Sequence, residues 1–283
     1  MDLQQAYVRC EEITTAEARN FSYGIKLLPA PKRLAMSALY ALARRIDDIG
    51  DGDGAPPQKL SALQAVRKDV AGLRAGQIDV DDPVLTAMAD VCRRYPLPIS
   101  ALEELIEGCE MDVAGTCYET FDDLVGYCRR VAGTVGRLSL AVYGSSDPDR
   151  AVTLADDLGV ALQITNILRD IVEDQRTMGR VYLPGADLDR FGVGRDLQGS
   201  REDLVALIAF ETGRAQEWYH RGLELLPLLD RRSRACTAAM AGIYRRLLTS
   251  IRRDPESVLF RRVSLPTWQK SLVAVRALTA GRA

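Results

Sequence analysis

The chain has 283 residues, with 37 Lys and Arg against 39 Asp and Glu, a formal net charge of −2. That balance lacks the basic excess of a nucleic-acid-binding surface, and a single histidine, His220, excludes a metal site built from several imidazoles. The 47 % hydrophobic fraction, over this length, is enough to bury a sizeable core without covalent staples.

Alternating strand patterns are missing, and apolar residues recur at three- and four-residue spacing almost throughout, which predicts an all-α chain. Pro31 opens a helix through MSALYALARRIDDI, followed by the loop GDGDGAPP (50–57). SALQAVRKDVAGLRAG reads as a helix ending at glycine, and DDPVLTAMADVCRRY as one stopped by Pro96. Pro98 opens ISALEELIEGCEMDVAG. TFDDLVGYCRRVAGTVGRLSLAVYG starts at a threonine cap and ends at Gly144. DPDRAVTLADDLGVALQITNILRDIVED is the longest helix, and QRTMGRVYLPGADLDRFGVG (175–194) is irregular. Two long helices, 201–226 and 231–253, and a shorter one, 266–278, complete the chain. With no repeat and no linker, one domain is the expected organisation.

The acids are placed oddly. Asp47 and Asp51 stand four apart and share one helix face, with Asp48 between them. Asn166, Asp170 and Asp174 form a second stripe at spacings of four and four, on a helix that is apolar nearly all round upstream. Either stripe alone reads as a solvated helix end. Two together, with Arg44, Arg45, Arg169 and Arg180 beside them, read as a site. Oxygen donors without histidine or thiolate suit Mg2+ (or Mn2+), and arginine forks suit phosphate. The matching chemistry is ionisation of an allylic diphosphate inside a dry apolar cavity.

FSYGIKLLP (21–29), ALYALARRIDDIGD (38–51), GCEMD (108–112), YCRRVAGTVG (127–136), LGVALQITNILRDIVED (158–174) and GRVYLP (179–184) together resemble the squalene/phytoene synthase family of head-to-head prenyltransferases. The resemblance implies a helical bundle of the isoprenoid-synthase type with a central active-site cavity, and prenyl diphosphate substrates. It makes Asp47, Asp51, Asp170 and Asp174 metal ligands, with Asp48 and Asn166 assisting. Arg44 and Tyr40 join the catalytic set. Arg44, Arg169 and Arg180 hold diphosphate, with Tyr182 and Tyr244 nearby. Phe21, Tyr127, Val131, Val135 and Gln163 contact substrate, and GDGDGAPP is a mobile flap. ARNFSYG, RRIDDIGDGDG and RRVSLPTWQK look most like the bacterial presqualene diphosphate synthases of the hopanoid pathway. These join two farnesyl diphosphates, use no NADPH, and pass the product to a downstream squalene-forming enzyme. One departure is that Glu17 and Ala18 stand where many relatives carry His and Ser.

Within the family the rivals are phytoene synthase, using geranylgeranyl diphosphate, and complete squalene synthase. Outside it stand an all-α nucleoside triphosphate hydrolase and a non-catalytic helical scaffold. Cys10, Cys92, Cys109, Cys117, Cys128 and Cys236 form no CxxC pair, and no signal-peptide core or apolar run near ~18 residues is present, so reduced, packed thiols in the cytoplasm are expected. His220 reads as structural. Arg261, Arg262, Lys270 and Arg276 read as a solvated face, with peripheral contact to anionic lipid as the alternative.

Overall fold

In the computed structural model, which describes residues 2–18, 20–79 and 81–279, every regular element is helical. Arg19 of the ARNFSYG motif lies outside the described residues. In chain order the helices are α1 (Leu3–Glu17), α2 (Phe21–Ile25), α3 (Ala30–Asp51), α4 (Pro56–Ala75), α5 (Pro83–Arg94), α6 (Ile99–Val113) and α7 (Phe121–Cys128). A π-helical turn (Arg129–Gly133) joins α7 to α8 (Thr134–Tyr143). Then come α9 (Pro148–Met178), α10 (Gly185–Arg190), α11 (Arg201–Gly222), α12 (Arg231–Arg253) and α13 (Thr267–Thr279), with short 3-10 turns at Leu223–Leu228 and Pro255–Leu259.

Local chemistry sets most of these ends. Asp82, Thr120, Ser200 and Asp230 each accept backbone N–H bonds from the first turn that follows, a cap that stabilises a helix by about 1 kcal/mol. Gly76 and Gly179 close α4 and α9 in the left-handed region, at φ 69° and 65°, where a side chain would be strained.

The structure departs from the sequence reading in several places. α1 was not foreseen: its buried residues are only Ala6, Tyr7, Cys10 and Thr14, a stripe too narrow to stand out in LQQAYVRCEEITTAE. The expected loop 50–57 shrinks to 52–55, because α3 keeps its hydrogen bonds through Asp51 and Pro56 is pre-set for the start of α4. α9 runs four residues further, to Met178, and α10 forms inside the segment expected to be irregular. The helix expected to run unbroken from 120 to 144 contains the π-turn, a feature that often marks functional positions.

α9 is the axis of the bundle, packed by α8, α11, α12 and the π-turn. Its Leu168, Ile164 and Ala161 are fully buried, and burying each large aliphatic side chain stabilises the fold by about 1.5–3 kcal/mol. One apolar cluster extends from Ala6 to Val273. By length and composition α9 is long and apolar enough to cross a membrane, which amends the expectation that no stretch is; 72 % of that window is buried inside the protein, as befits a core helix. α9 also buries Asp156 and Asp157, which pair with Arg129 of the π-turn and with Arg137 and Arg221. The Arg129 pairs fasten the π-turn to α9, and those of Arg137 and Arg221 tie α8 and α11 to the same two acids. Six cysteines are free, with Cys10, Cys109, Cys128 and Cys236 buried; Cys117, expected to pack, is exposed on a loop. His220 is exposed on α11.

Half-buried between α10 and α11, Arg214 bonds both Asp187 and Glu211 while lying over the rings of Phe121 and Phe210 at 4.2 and 4.5 Å. Two carboxylates share one guanidinium, and Glu211 Oε2 has no partner. Burial, reinforced by Asp187 and opposed by Arg214, pushes the Glu211 carboxyl up to about 8 from its ordinary 4.5. The native state therefore holds a proton that the unfolded chain has released, so this group's stabilising contribution is complete below about pH 4.5 and is lost as pH rises through about 8. Glu211→Gln, which mimics the protonated form, is expected to flatten the decline of melting temperature across that window. A variant whose decline matches the wild type would show that Glu211 is ionised throughout.

Candidate active site

The last turn of α3 carries Asp47, Asp48 and Asp51. Asp48 turns to the rim, where it pairs with Arg44 one turn back at 2.7 Å. Asp47 is open to water yet surrounded by protein, with Cys109 Sγ 3.8 Å from its Oδ1. The crowding of protein around it, which thins its hydration, and then the neighbouring Asp51 push its carboxyl up to about 7. Asp51 accepts a hydrogen bond from Arg180 Nη1 at 2.8 Å. Tyr40, one turn behind Arg44, lies within the field of Arg44, Asp47 and Tyr244, and burial pushes its hydroxyl up to about 12.

The second stripe lies on α9. Asn166 Nδ2 donates to Gln163 Oε1 at 3.3 Å, and Asn166 Oδ1 is buried without a partner. Asp170 is gripped by Arg169 Nε at 2.9 Å and by Arg262 Nε at 2.8 Å. Asp174, one turn further, has its carboxyl pushed up to about 7 by burial and by Asp170, against the pull of Arg180. The backbone N–H of Arg180 donates to the carbonyl of Asp174, while its guanidinium reaches Asp51 and the carbonyl of Gly50. The two acid stripes therefore face each other across Arg180. Behind them, Arg169 lies within the electrostatic reach of Tyr244, whose ring packs on Phe21 at 5.7 Å.

A third wall was not assigned a role from sequence. Asp112, at the end of α6, accepts from the hydroxyls of Tyr127 at 2.9 Å and Tyr182 at 3.0 Å. Burial pushes its carboxyl up to about 6, with Arg180 opposing. The rings of Tyr127 and Tyr182 stack at 5.2 Å, and Tyr118 closes the group. A signal existed: Leu102, Leu105 and Cys109 are buried at helical spacing, and Asp112 continues that apolar stripe with an acid. Arg262 is the other omission. Read as part of a solvated or lipid-facing tail, it instead reaches Asp170 and Glu173. Its segment is irregular, so no periodicity pointed to it.

Val131 sits in the π-turn and Val135 just beyond it, both half-buried. Gly108 of α6 makes room there, since a Cβ at that position would lie 2.5 Å from Val131 Cγ1. A cavity of about 370 Å³ opens between the 52–55 connection and the 177–182 segment, lined among others by Asp51, Asp112, Arg180 and Tyr182. Glu17 and Ala18, the departure noted above, are the exposed end of α1 and a buried alanine.

Among the described residues no three His, Cys, Asp or Glu side chains converge into a self-sufficient metal cage. The site does offer two facing carboxylate pairs and the unpaired Asn166 Oδ1, and Arg44 Nε is a buried donor without a partner. That donor set fits a hard divalent cation whose coordination is completed by phosphate oxygens and water.

The residues from 14 to 269 match the family model for squalene/phytoene synthase. A phytoene synthase from Mycobacterium tuberculosis is 49 % identical over 99 % of this chain and 92 % of its own length. Among solved structures, a dehydrosqualene synthase in complex with ligand superposes with a TM-score of 0.90 at 29 % identity, covering 99 % of this chain and 98 % of its own. A squalene synthase, HpnC from Alicyclobacillus acidocaldarius, superposes at 0.79 with 31 % identity, covering 89 % and 94 %. With the all-α bundle, the facing acid stripes and this match over most of its length, the chain belongs to the squalene/phytoene synthase family.

Proposed function

We propose that this protein joins two allylic prenyl diphosphates head to head, and that its substrate is geranylgeranyl diphosphate, giving phytoene. The observation that carries the reaction is the opposition of Asp47 and Asp51 to Asp170 and Asp174 across Arg180. Support for the twenty-carbon donor is the 49 % identity to a phytoene synthase. A bound Mg2+ or Mn2+, held by Asp47, Asp51, Asp170 and Asp174 with Asp48 and Asn166 at the margin, would supply charge to draw the diphosphate off carbon.

The chain's own groups do the rest. Arg44, Arg169 and Arg180 hold the departing diphosphate. Phe21, Tyr244, Val131, Val135 and Gln163 line the course of the prenyl chains and keep water from the carbocation. Tyr40 borders the first acid stripe. Tyr127 and Tyr182 are oriented through Asp112. Closing the cyclopropane releases a proton, and the freed diphosphate is a competent acceptor, so no imidazole is required. Ionising the remaining diphosphate and losing a second proton completes phytoene. Neither step consumes hydride, so the reading assigns no nicotinamide. The 52–55 connection acts as the flap over the reacting groups.

A second reading is favoured by the structural likeness to a squalene synthase of the HpnC type and by the motifs noted above. Here two farnesyl diphosphates give presqualene diphosphate, which keeps one diphosphate and leaves for a downstream enzyme. Incubation with each donor separately and Mg2+, followed by product identification, decides the matter. Phytoene from geranylgeranyl diphosphate is expected, with turnover lost on exhaustive chelation and restored by Mg2+ or Mn2+. Presqualene diphosphate from farnesyl diphosphate would establish the second reading, and squalene on adding NADPH would make the protein a complete squalene synthase. No product from either donor would leave the scaffold alternative.

A further inference from the structure

Lys59 stands in the opening turns of α4, directly after the 52–55 connection, and lines the same cavity as Asp51, Arg180 and Tyr182. Its ammonium donates to the carbonyl oxygen of Gly50 at 3.0 Å, and Arg180 Nη2 donates to that same oxygen at 3.1 Å. Gly50 belongs to the last turn of α3, whose carbonyls lack intrahelical partners and carry the negative end of the helix dipole. This accounts for one cation at the position, not for two. Arg180 has a counter-ion in Asp51 at 2.8 Å. Among the described residues Lys59 has no carboxylate partner, and the Gly50 carbonyl is its recorded polar contact.

Two cationic heads sharing one neutral oxygen repel each other, and an anion between them relieves the repulsion. Lys59 is half-buried, so bulk solvent screens that repulsion only in part. The lysine also stands beside the flap: a Cβ added at Gly54 would lie 3.7 Å from Lys59 Cγ, so the stem borders the connection with room for no more than a side-chain carbon between them.

We propose that Lys59 is a substrate-binding residue which, with Arg180, grips the diphosphate group of a prenyl diphosphate at the flap end of the cavity. The assignment rests on the prenyl diphosphate reading given above. The chemistry suits a lysine. A compact charge on a flexible stem exchanges a neutral carbonyl for a phosphate oxygen without breaking an ion pair.

The test is calorimetric titration of inorganic pyrophosphate, in the presence of Mg2+, into the full-length protein and its Lys59→Met and Lys59→Arg variants. Methionine keeps the apolar stem and arginine keeps the charge. Lys59→Met is expected to weaken pyrophosphate binding about ten- to hundred-fold, the loss of one hydrogen bond to a charged group, and to raise KM for the prenyl diphosphate in the same direction. Lys59→Arg is expected to recover most of the affinity. If Lys59 only caps α3, Lys59→Met lowers the melting temperature and leaves pyrophosphate affinity unchanged. That result, or equal affinity in wild type and Lys59→Met, overturns the proposal and leaves the diphosphate reading standing. Failure of the wild type to bind pyrophosphate or either prenyl diphosphate would bring down that reading, and this proposal with it.

Discussion

Asp174→Asn is expected to reduce turnover by roughly a thousandfold or more while the melting temperature holds level or rises. Asp174 sits one turn from Asp170 in a site that burial has partly stripped of water, and both effects push its carboxyl up to about 7. In the metal-free protein a neutral amide removes a like-charge repulsion and keeps a hydrogen-bonding side chain of the same shape. On the proposed reading, with substrate and Mg2+ bound, the same change would delete one of four carboxylate donors. Asp170→Asn separates the two stripe residues. It too is expected to abolish turnover, but Asp170 is the counter-ion of the buried Arg169 and of Arg262, so its neutralisation should also lower stability by about 1–3 kcal/mol. Helix spacing alone makes Asp170 one more like charge in the stripe, whose neutralisation would relieve repulsion; the two arginines on it reverse that sign. Measured kcat and thermal melts of the two variants settle the point. Near-normal turnover in Asp174→Asn, or a fold lost outright, would refute a role in metal and diphosphate chemistry.

Gly159→Val is expected to prevent folding, or to cost more than about 4 kcal/mol. A Cβ on Gly159 would lie 2.5 Å from the carbonyl oxygen of Ala132 and 2.6 Å from its carbon, both backbone atoms of the π-turn. The backbone of the turn has no cheap way to retreat, because the Arg129–Asp156 pair fastens it to α9. Gly136 meets the backbone of Ala155 in the same way from α8. Val131 lies in that same turn, so even the milder Gly159→Ala should lower stability and, on the proposed reading of Val131, disturb prenyl binding. Gly213 is the control. It lies inside α11, and a Cβ there would meet no atom within 4 Å, so Gly213→Ala should stabilise by about 0.5–1 kcal/mol. Urea unfolding midpoints report both effects. A folded Gly159→Val with an unchanged midpoint would mean that the helices separate at little cost.

The sequence by itself determined the all-α class, most helix ends and the two acid stripes. Each depends on neighbours within a few positions: Asp82, Thr120, Ser200 and Asp230 bond the turn that follows them, and carboxylates four apart share a helix face whatever the helix packs against. Motif order further indicated the family. Only the tertiary structure decided which side chains meet. Arg180 reaches Asp51 across 129 positions, Arg262 reaches Asp170 across 92, and Tyr182 reaches Asp112 across 70. It also decided that Asp48 faces the rim, that 129–133 widens into a π-turn, and that Lys59 shares a carbonyl with Arg180. The physical reason is that a helix's own spacing fixes only the direction of a side chain from its axis. The partner that direction finds is set by how the helices pack, and here that packing runs through the close approach of α9 to the π-turn and α8 at Gly133, Gly136 and Gly159.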